Sequence, residues 1–375
     1  MTTHVHDGVD TAEAELRAAE ADEGAALTMR LLASLTPALE LLTVELGLRH
    51  GIYASIDQAG AVTSAELSAQ TGITERQLRE WLDQQAIAGI LLADSGEPRR
   101  YRLPGAFRPV LLDPTSPLHG AGLAEMFAGI AETFDDVAAT FPHGGAVRYA
   151  DFGPAVRHGL ETIYRPGYTH ALPLWMEALP DITARLEAGG TILDAGCGTG
   201  WSSVALAQRF PRARVIGVDL DEASIDEARR HAAASGVGDR VSFACLDATD
   251  AGAISRVVDG EVALVTVFLA LHDMRDPRRG LAALSSTLEP GGAILIGDAQ
   301  VSDEFVAPGT DTDRMFSAFS VLHCLPATLA EGGGHAHGTV LRAPSVIAWG
   351  RDVGLAHARQ LPIEHPAWSF YRLNA

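Results

Sequence analysis

The fold of this chain turns on Thr191-Ile192-Leu193-Asp194-Ala195-Gly196-Cys197-Gly198-Thr199-Gly200. Ile192 and Leu193 are apolar strand formers. Gly196, Gly198 and Gly200 then permit a tight turn and the close approach of a ligand. Trp201 to Phe210 has the pattern of a helix, so the glycines fall between a strand and a helix N-terminus. A glycine-rich turn alone is a weak signal, but three downstream features extend it. Pro211 to Leu220 reads as a second strand ending in Asp219, about twenty residues on, where a carboxylate can bind ribose hydroxyls. Val241 to Asp247 is a third strand ending in an acid, and Glu289-Pro290-Gly291-Gly292 is a turn into the apolar run Ala293 to Ile296.

Around this core the chain divides by pattern. Residues 1–24 are acidic and alanine-rich, with Glu13, Glu15, Glu20, Asp22 and Glu23 against a single base, Arg17; the expectation is a frayed or disordered tail, or at most a transient helix. From Ala25, Leu27, Leu31, Leu32, Leu35, Leu39, Leu42 and Leu46 recur at helical steps, with Pro37 expected to kink or split the segment. Thr63 or Ser64 can cap a short helix, and Thr74 a second from Glu75 to roughly Ala88. Ile90 to Leu92 and Tyr101 to Leu103 suggest a hairpin, completing a pattern that resembles a winged helix-turn-helix over 25–112. The would-be recognition helix mixes Glu75, Glu80 and Asp83 with Arg76 and Arg79, so dimerisation or substrate capping is the expected role and nucleic-acid binding is not.

Residues 113–170 read as a helical connector and lid. One helix is expected from Leu118 to Phe141, with Leu123, Phe127, Ile130, Phe134 and Val137 on one face, followed by a less regular segment from Phe152 to Tyr168 and a helix from Pro173 to Leu186. Residues 171–375 form the α/β domain, with a helical insertion near 302–342. Val262 to Phe268 is a continuous apolar run suited to a buried central strand. It leads into Leu271-His272-Asp273-Met274-Arg275-Asp276, ionisable groups at the strand end where α/β sheets bind ligands. His272 can take a proton near neutral pH. Asp298 at the next strand end can face the substrate, and Met315, Phe319 and His323 can supply a pocket wall.

The ordered set of glycine turn and acidic strand ends resembles the class I S-adenosylmethionine-dependent methyltransferases. NAD-binding folds usually space their glycines as G-x-G-x-x-G, which this loop does not. The resemblance implies a seven-stranded Rossmann-like sheet with its last strand antiparallel, after a mainly helical winged-helix domain. It implies S-adenosylmethionine as cofactor, held around Asp194, Gly196, Cys197, Gly198, Gly200, Asp219, Leu220, Asp247, Ala248 and Phe268, with Tyr164 and Tyr168 as further contacts. The His272 segment resembles the His-Asp-Trp-x-Asp stretch of plant and bacterial small-molecule O-methyltransferases, whose histidine is the base. Met274 departs from the tryptophan and leaves the substrate class open. A closer resemblance is to actinobacterial winged-helix methyltransferases of unassigned substrate, which share Leu-His-Asp-Met and the run Leu322-His323-Cys324-Leu325-Pro326. Asp273, Met315, Phe319 and His323 are the substrate candidates, and a homodimer through the N-terminal helices is expected from the resemblance. A cofactor-binding transcriptional regulator and a C- or N-methyltransferase are the alternatives.

At 375 residues and a net charge of −20, the chain has room for two or three domains and disfavours phosphate-backbone partners. No apolar run is read as a membrane helix, and no signal peptide is read. Cys197, Cys245 and Cys324 are scattered, which suits a reducing cytoplasm. A metal site from His323, Cys324, His335 and His337 lacks fixed ligand spacing, and no metal is expected.

Overall fold

A computed structural model describes residues 6–332 and 334–375, with side chains from residue 20 onward. Contacts divide the chain into units 1–107 and 108–375, five residues before the boundary expected at 112.

The first unit begins with a helix, His6–Arg49, that starts well before residue 25. Its alanine- and glutamate-rich start has high helix propensity, so from residue 6 the expected disordered tail is replaced by helix. The helix also runs through Pro37 without ending. The stretch Glu20–Arg49 is long and apolar enough, by length and composition, to cross a membrane, which corrects the reading that no such run exists. Thr63 caps Ser64–Thr71 in a capping box with Glu66. Thr74 precedes Glu75–Ile87, but its hydroxyl bonds Gln77 instead of a backbone amide. The strands Leu92–Ala93 and Tyr101–Arg102 pair antiparallel, and Tyr101 also exchanges two backbone bonds with Val62. Tyr53, Leu67, Leu78, Leu82 and Tyr101 are buried beneath them.

In the second unit the helix expected over Leu118–Phe141 is two, Gly122–Glu132 and Phe134–Thr140. The Thr133 hydroxyl turns back onto the carbonyls of Gly129 and Ile130 at the break. The expected apolar face is buried only in part: Ile130 and Val137 are buried and Phe127 half-buried, Leu123 and Phe134 are exposed, and Ala124, Met126 and Ala128 are buried beside them. The reason is close packing on Gly153–His170, a regular helix where an irregular segment was expected. A Cβ on Gly122 would lie 2.5 Å from the Gly159 carbonyl oxygen, so only small residues fit that crossing. A second expected helix, Pro173 to Leu186, is likewise two, Leu172–Glu177 and Pro180–Glu187, because Pro180 starts the second.

Seven strands follow: β1 Thr191–Ala195, β2 Arg214–Asp219, β3 Val241–Cys245, β4 Val262–Phe268, β5 Leu288–Ala299, β6 Arg359–Leu361 and β7 Trp368–Leu373. Their order across the sheet is β3-β2-β1-β4-β5-β7-β6. The first five are parallel, and β7 runs antiparallel to both β5 and β6. The sheet is seven-stranded and Rossmann-like, as the resemblance implied. Apolar side chains on both faces of the parallel strands pack under helices, which explains the unbroken apolar run of β4. The order reverses between β1 and β4, opening a crevice at the carboxyl ends of those strands.

Candidate active site

A cavity of about 430 Å³ occupies that crevice. Its floor is the turn after β1. Gly196 has φ +71°, and a Cβ there would lie 2.2 Å from the Ala270 side chain, so the loops after β1 and β4 can meet only at a glycine. Asp219 sits at the end of β2. Its carboxylate accepts the Gly198 N–H at 2.8 Å and the Asp221 N–H at 2.9 Å, which ties the second strand end to the glycine turn. Burial raises its pKa, and those amide bonds oppose the rise. Asp247, after β3, accepts the Thr249 N–H and pairs with Arg275 at 2.8 Å.

Gly196, Cys197, Gly198, Asp219, Leu220, Asp247, Ala248, Phe268, Tyr164 and Tyr168 all line the cavity. Two expected contacts do not. Asp194 lies beneath the floor, 1% exposed, accepting hydroxyl bonds from Ser202 and Ser203 at 2.6 Å and Thr266 at 2.7 Å. Burial raises its pKa against those three bonds. It pins β1 to β4 and to the helix Trp201–Arg209. Gly200, at φ +82°, packs on Ala228 and Phe243 at that helix's start.

The far side of the floor is aromatic. Tyr168 lies 5.7 Å from Phe268 and 6.0 Å from Trp368 between ring centres, and Tyr164 lies 5.5 Å from Trp368. Burial pushes both phenols above their ordinary range, so they are neutral donors.

Sequence reasoning missed the wall opposite Gly198. Trp201 donates its indole N–H to Glu161 Oε1 at 2.8 Å, with His231 stacked on one ring face and the Arg165 guanidinium 3.7 Å from the ring centre. Glu161 Oε2 is buried without a partner, and both Glu161 and Trp201 line the cavity. Nothing in the local pattern of Gly153–His170 singles out Glu161; only its contact with Trp201, forty residues on, does.

At the other end of the cavity stand Asp273 and His323. His272 is not on the wall. It lies behind, 3% exposed, with Nδ1 2.6 Å from Asp298 Oδ1 and Nε2 3.4 Å from Asp273 Oδ1. Burial pulls its pKa down, but Asp273 and Asp298 outweigh that and hold it well above the usual histidine range. Burial pushes Asp273 up to about 6, with the His272 charge opposing. Asp298 is fully buried instead of facing the cavity. Its Oδ1 also accepts the Ala299 N–H, and its Oδ2 has no partner.

His323 sits on a π-helical turn, Ser320–Cys324, a geometry that recurs at functional sites. Phe152 packs on its ring at 4.5 Å and Tyr149 at 5.8 Å. Burial and the nearby His272 lower its pKa to about 4. Its Nδ1 lies 3.5 Å from Cys324 Sγ, and its Nε2 is buried and unpartnered. Of the other substrate candidates, neither Met315 nor Phe319 lines the cavity; Met315 is exposed, and Phe319 packs on the cluster around Met126. They lie on Asp311–Phe319, one helix before the π turn. His337 packs edge-on against Trp349, so the loop histidine has a structural contact of its own.

A Rossmann-like sheet with this glycine turn and acidic strand ends defines a nucleoside-cofactor enzyme. Residues 192–292 match the family described as "Methyltransferase domain", and residues 38–111 match "Rv2258c-like winged HTH domain". The chain is 30% identical over 196 residues to a ubiquinone biosynthesis O-methyltransferase of Leptothrix cholodnii, covering 52% of this chain and 75% of the relative. It is 40% identical over 105 residues to an uncharacterized protein of Synechococcus, where it spans only 24% of the relative's length and 28% of its own. In fold it is similar to an O-methyltransferase family protein from Burkholderia thailandensis, with TM-score 0.69 and 18% identity, covering 92% of this chain and 97% of that one. The chain belongs to the S-adenosylmethionine-dependent methyltransferases, and S-adenosylmethionine is its cofactor. The residues present fit that group: the orphaned Glu161 carboxylate oxygen matches an ammonium, and Asp219 matches a ribose diol.

Proposed function

We propose that the protein transfers a methyl group to an oxygen of a small molecule, a phenol, hydroxyl or carboxylate of secondary metabolism. The observation that carries this reading is one continuous cavity, running from the glycine turn and Asp219 to Asp273 and His323. The cofactor supplies an electrophilic methyl on a sulfonium whose leaving thioether is neutral. The chain's residues then align, desolvate and activate the acceptor. Backbone around Gly196 and Gly198 packs on the methionyl part, Glu161 Oε2 takes the ammonium, Asp219 binds the ribose and Asp247 the adenine amino group. Tyr164, Tyr168 and Phe268 exclude water beneath the transfer point. An acceptor that arrives protonated loses its proton at the Asp273–His323 end. His272, the base expected from sequence, acts there through Asp273, because its own ring has no face on the cavity.

The winged unit is assigned to assembly. Four of its arginines are internally paired: Arg76 with Glu80, Arg79 with Glu75, Arg99 with Asp83 and Arg100 with Glu66. The exposed leucines Leu27, Leu31, Leu35, Leu39, Leu42 and Leu46 recur at three- and four-residue steps along His6–Arg49, a spacing that suits packing on a second copy of the chain. A cytoplasmic homodimer is the proposed form.

The test is transfer of isotope-labelled methyl to a panel of phenols, hydroxy acids, carboxylates and amines, read by product mass. Wild type, His272→Ala and Asp273→Asn are run together. O-methyl product that falls in both variants is the expected result. Product on nitrogen or carbon only would overturn the oxygen assignment.

A further inference from the structure

We propose that His272, Asp273 and Cys324 form a binding site for a divalent cation of the zinc type, with its open coordination position facing the acceptor end of the cavity. This deepens the reading above and rests on it only for the catalytic consequence.

The three groups offer one ligand atom each, and these lie within 4.8 Å of one another. His272 Nε2 and Asp273 Oδ1 are 3.4 Å apart. Two ligands about 2.0–2.1 Å from a tetrahedral zinc ion lie about 3.3–3.4 Å apart, so this pair is already at coordination spacing. The Cys324 sulfur lies within 4.8 Å of both ligand atoms and closes the triangle by moving inward.

The surroundings argue for a cation more strongly than the triangle does. Among the described residues Asp298 Oδ2 is buried with no hydrogen-bond partner, and Asp273 Oδ1 has only the imidazole of His272, 3.4 Å away, beside it. Two carboxylates and a thiol thus converge on one imidazole, and the positive partners are too few. Asp298 Oδ1 holds His272 Nδ1 at 2.6 Å, which turns Nε2 toward Asp273 and Cys324. A carboxylate behind a histidine is the usual outer shell of a metal-bound imidazole. His323 Nδ1, 3.5 Å from Cys324 Sγ, is placed to donate to a thiolate in the same way. Nitrogen, oxygen and sulfur donors in one set select zinc over magnesium or calcium.

Asp273 lines the cavity while His272 and Cys324 lie behind it, so the fourth position points at the acceptor. On binding the cation, Cys324 releases its thiol proton and His272 its Nε2 proton to solvent, while Nδ1–H stays on Asp298. A Lewis acid there lowers the pKa of an acceptor hydroxyl, whose proton also leaves to solvent. The O–CH₃ bond forms as the S–CH₃ bond breaks, and no redox step is involved.

The test uses the full-length protein, stripped with chelator and reloaded with zinc or cobalt(II). Elemental analysis should give one zinc per chain. Cobalt-loaded wild type should show a sulfur-to-cobalt charge-transfer band that Cys324→Ser abolishes. Asp298→Asn should weaken zinc binding by about 10–100-fold without removing the band. Calorimetry of S-adenosylmethionine binding to Cys324→Ser, expected unchanged, shows that the variant is folded. Failure of the wild type to retain stoichiometric zinc, or a cobalt band that persists in Cys324→Ser, overturns the site. Zinc bound at this triad together with product only on nitrogen or carbon would leave the site standing and sink the oxygen-acceptor reading instead.

Discussion

The two ends of the cavity are built differently. The cofactor end is made of strand termini: Gly196 to Thr199 after β1, Asp219 after β2 and Asp247 after β3, each placed by a short local motif. The acceptor end is assembled from Asp273 after β4, Asp298 on β5 and the His323–Cys324 turn, with His272 behind the wall. A strand end fixes its own side chain by backbone geometry. A converging cluster depends on where three separate segments pack.

The comparison can be broken first at the floor. Asp194→Ala should destabilise the protein by roughly 3–5 kcal/mol, because three buried hydroxyls lose their acceptor at once. A denaturation midpoint close to wild type would show that the floor does not depend on this post. Asp219→Asn should leave the fold intact and weaken S-adenosylmethionine binding about 100-fold, since charge-assisted bonds contribute about 1.5–3 kcal/mol each. Calorimetry checks it.

At the acceptor end the expected pattern inverts. Asp298→Asn should lower kcat by about 10–100-fold while S-adenosylmethionine affinity stays within about twofold, because Asp298 acts through His272. Loss of cofactor affinity instead would mean that the two ends are not separable. Glu161→Gln should lower cofactor affinity by about 10-fold, one weakened charge-assisted bond, with the acceptor end unaffected.

The smallest effect lies outside both ends. His158 pairs with Glu125 at 3.0 Å across the two packed helices, and that bond, against burial, raises its pKa to about 9. A raised folded pKa stabilises fully below the unfolded value of about 6.5 and is lost as pH rises through about 9. The pair is exposed, so the contribution should stay below about 1 kcal/mol. Glu125→Gln should remove that pH dependence of stability and bring the His158 titration, followed by NMR, back toward its ordinary value.

How much of the site was legible follows the same division. Gly196, Asp219 and Asp247 were readable because strand, turn and acid occur in one short window. Asp194 was readable as important but not as structural, since only the fold shows Ser202, Ser203 and Thr266 surrounding it. Glu161 carried no local signal, and His272 looked like the base because its place after β4 was right while its side-chain direction was not encoded nearby. The N-terminal reading fell short in the other direction: an acidic, alanine-rich stretch was read as a tail or at most a transient helix, and from residue 6 it is part of the long helix, in keeping with its propensity.

The sequence by itself determined the parallel sheet, the cofactor class and the acids that end β2 and β3, because period, glycine spacing and strand ends are local properties of the chain. Only the tertiary structure decided that His272 stands behind Asp273 and His323, held by Asp298, and that Cys324 joins them. Those residues are separated by up to 52 positions, and packing alone, not the pattern around any one of them, brings their polar atoms within a few ångströms.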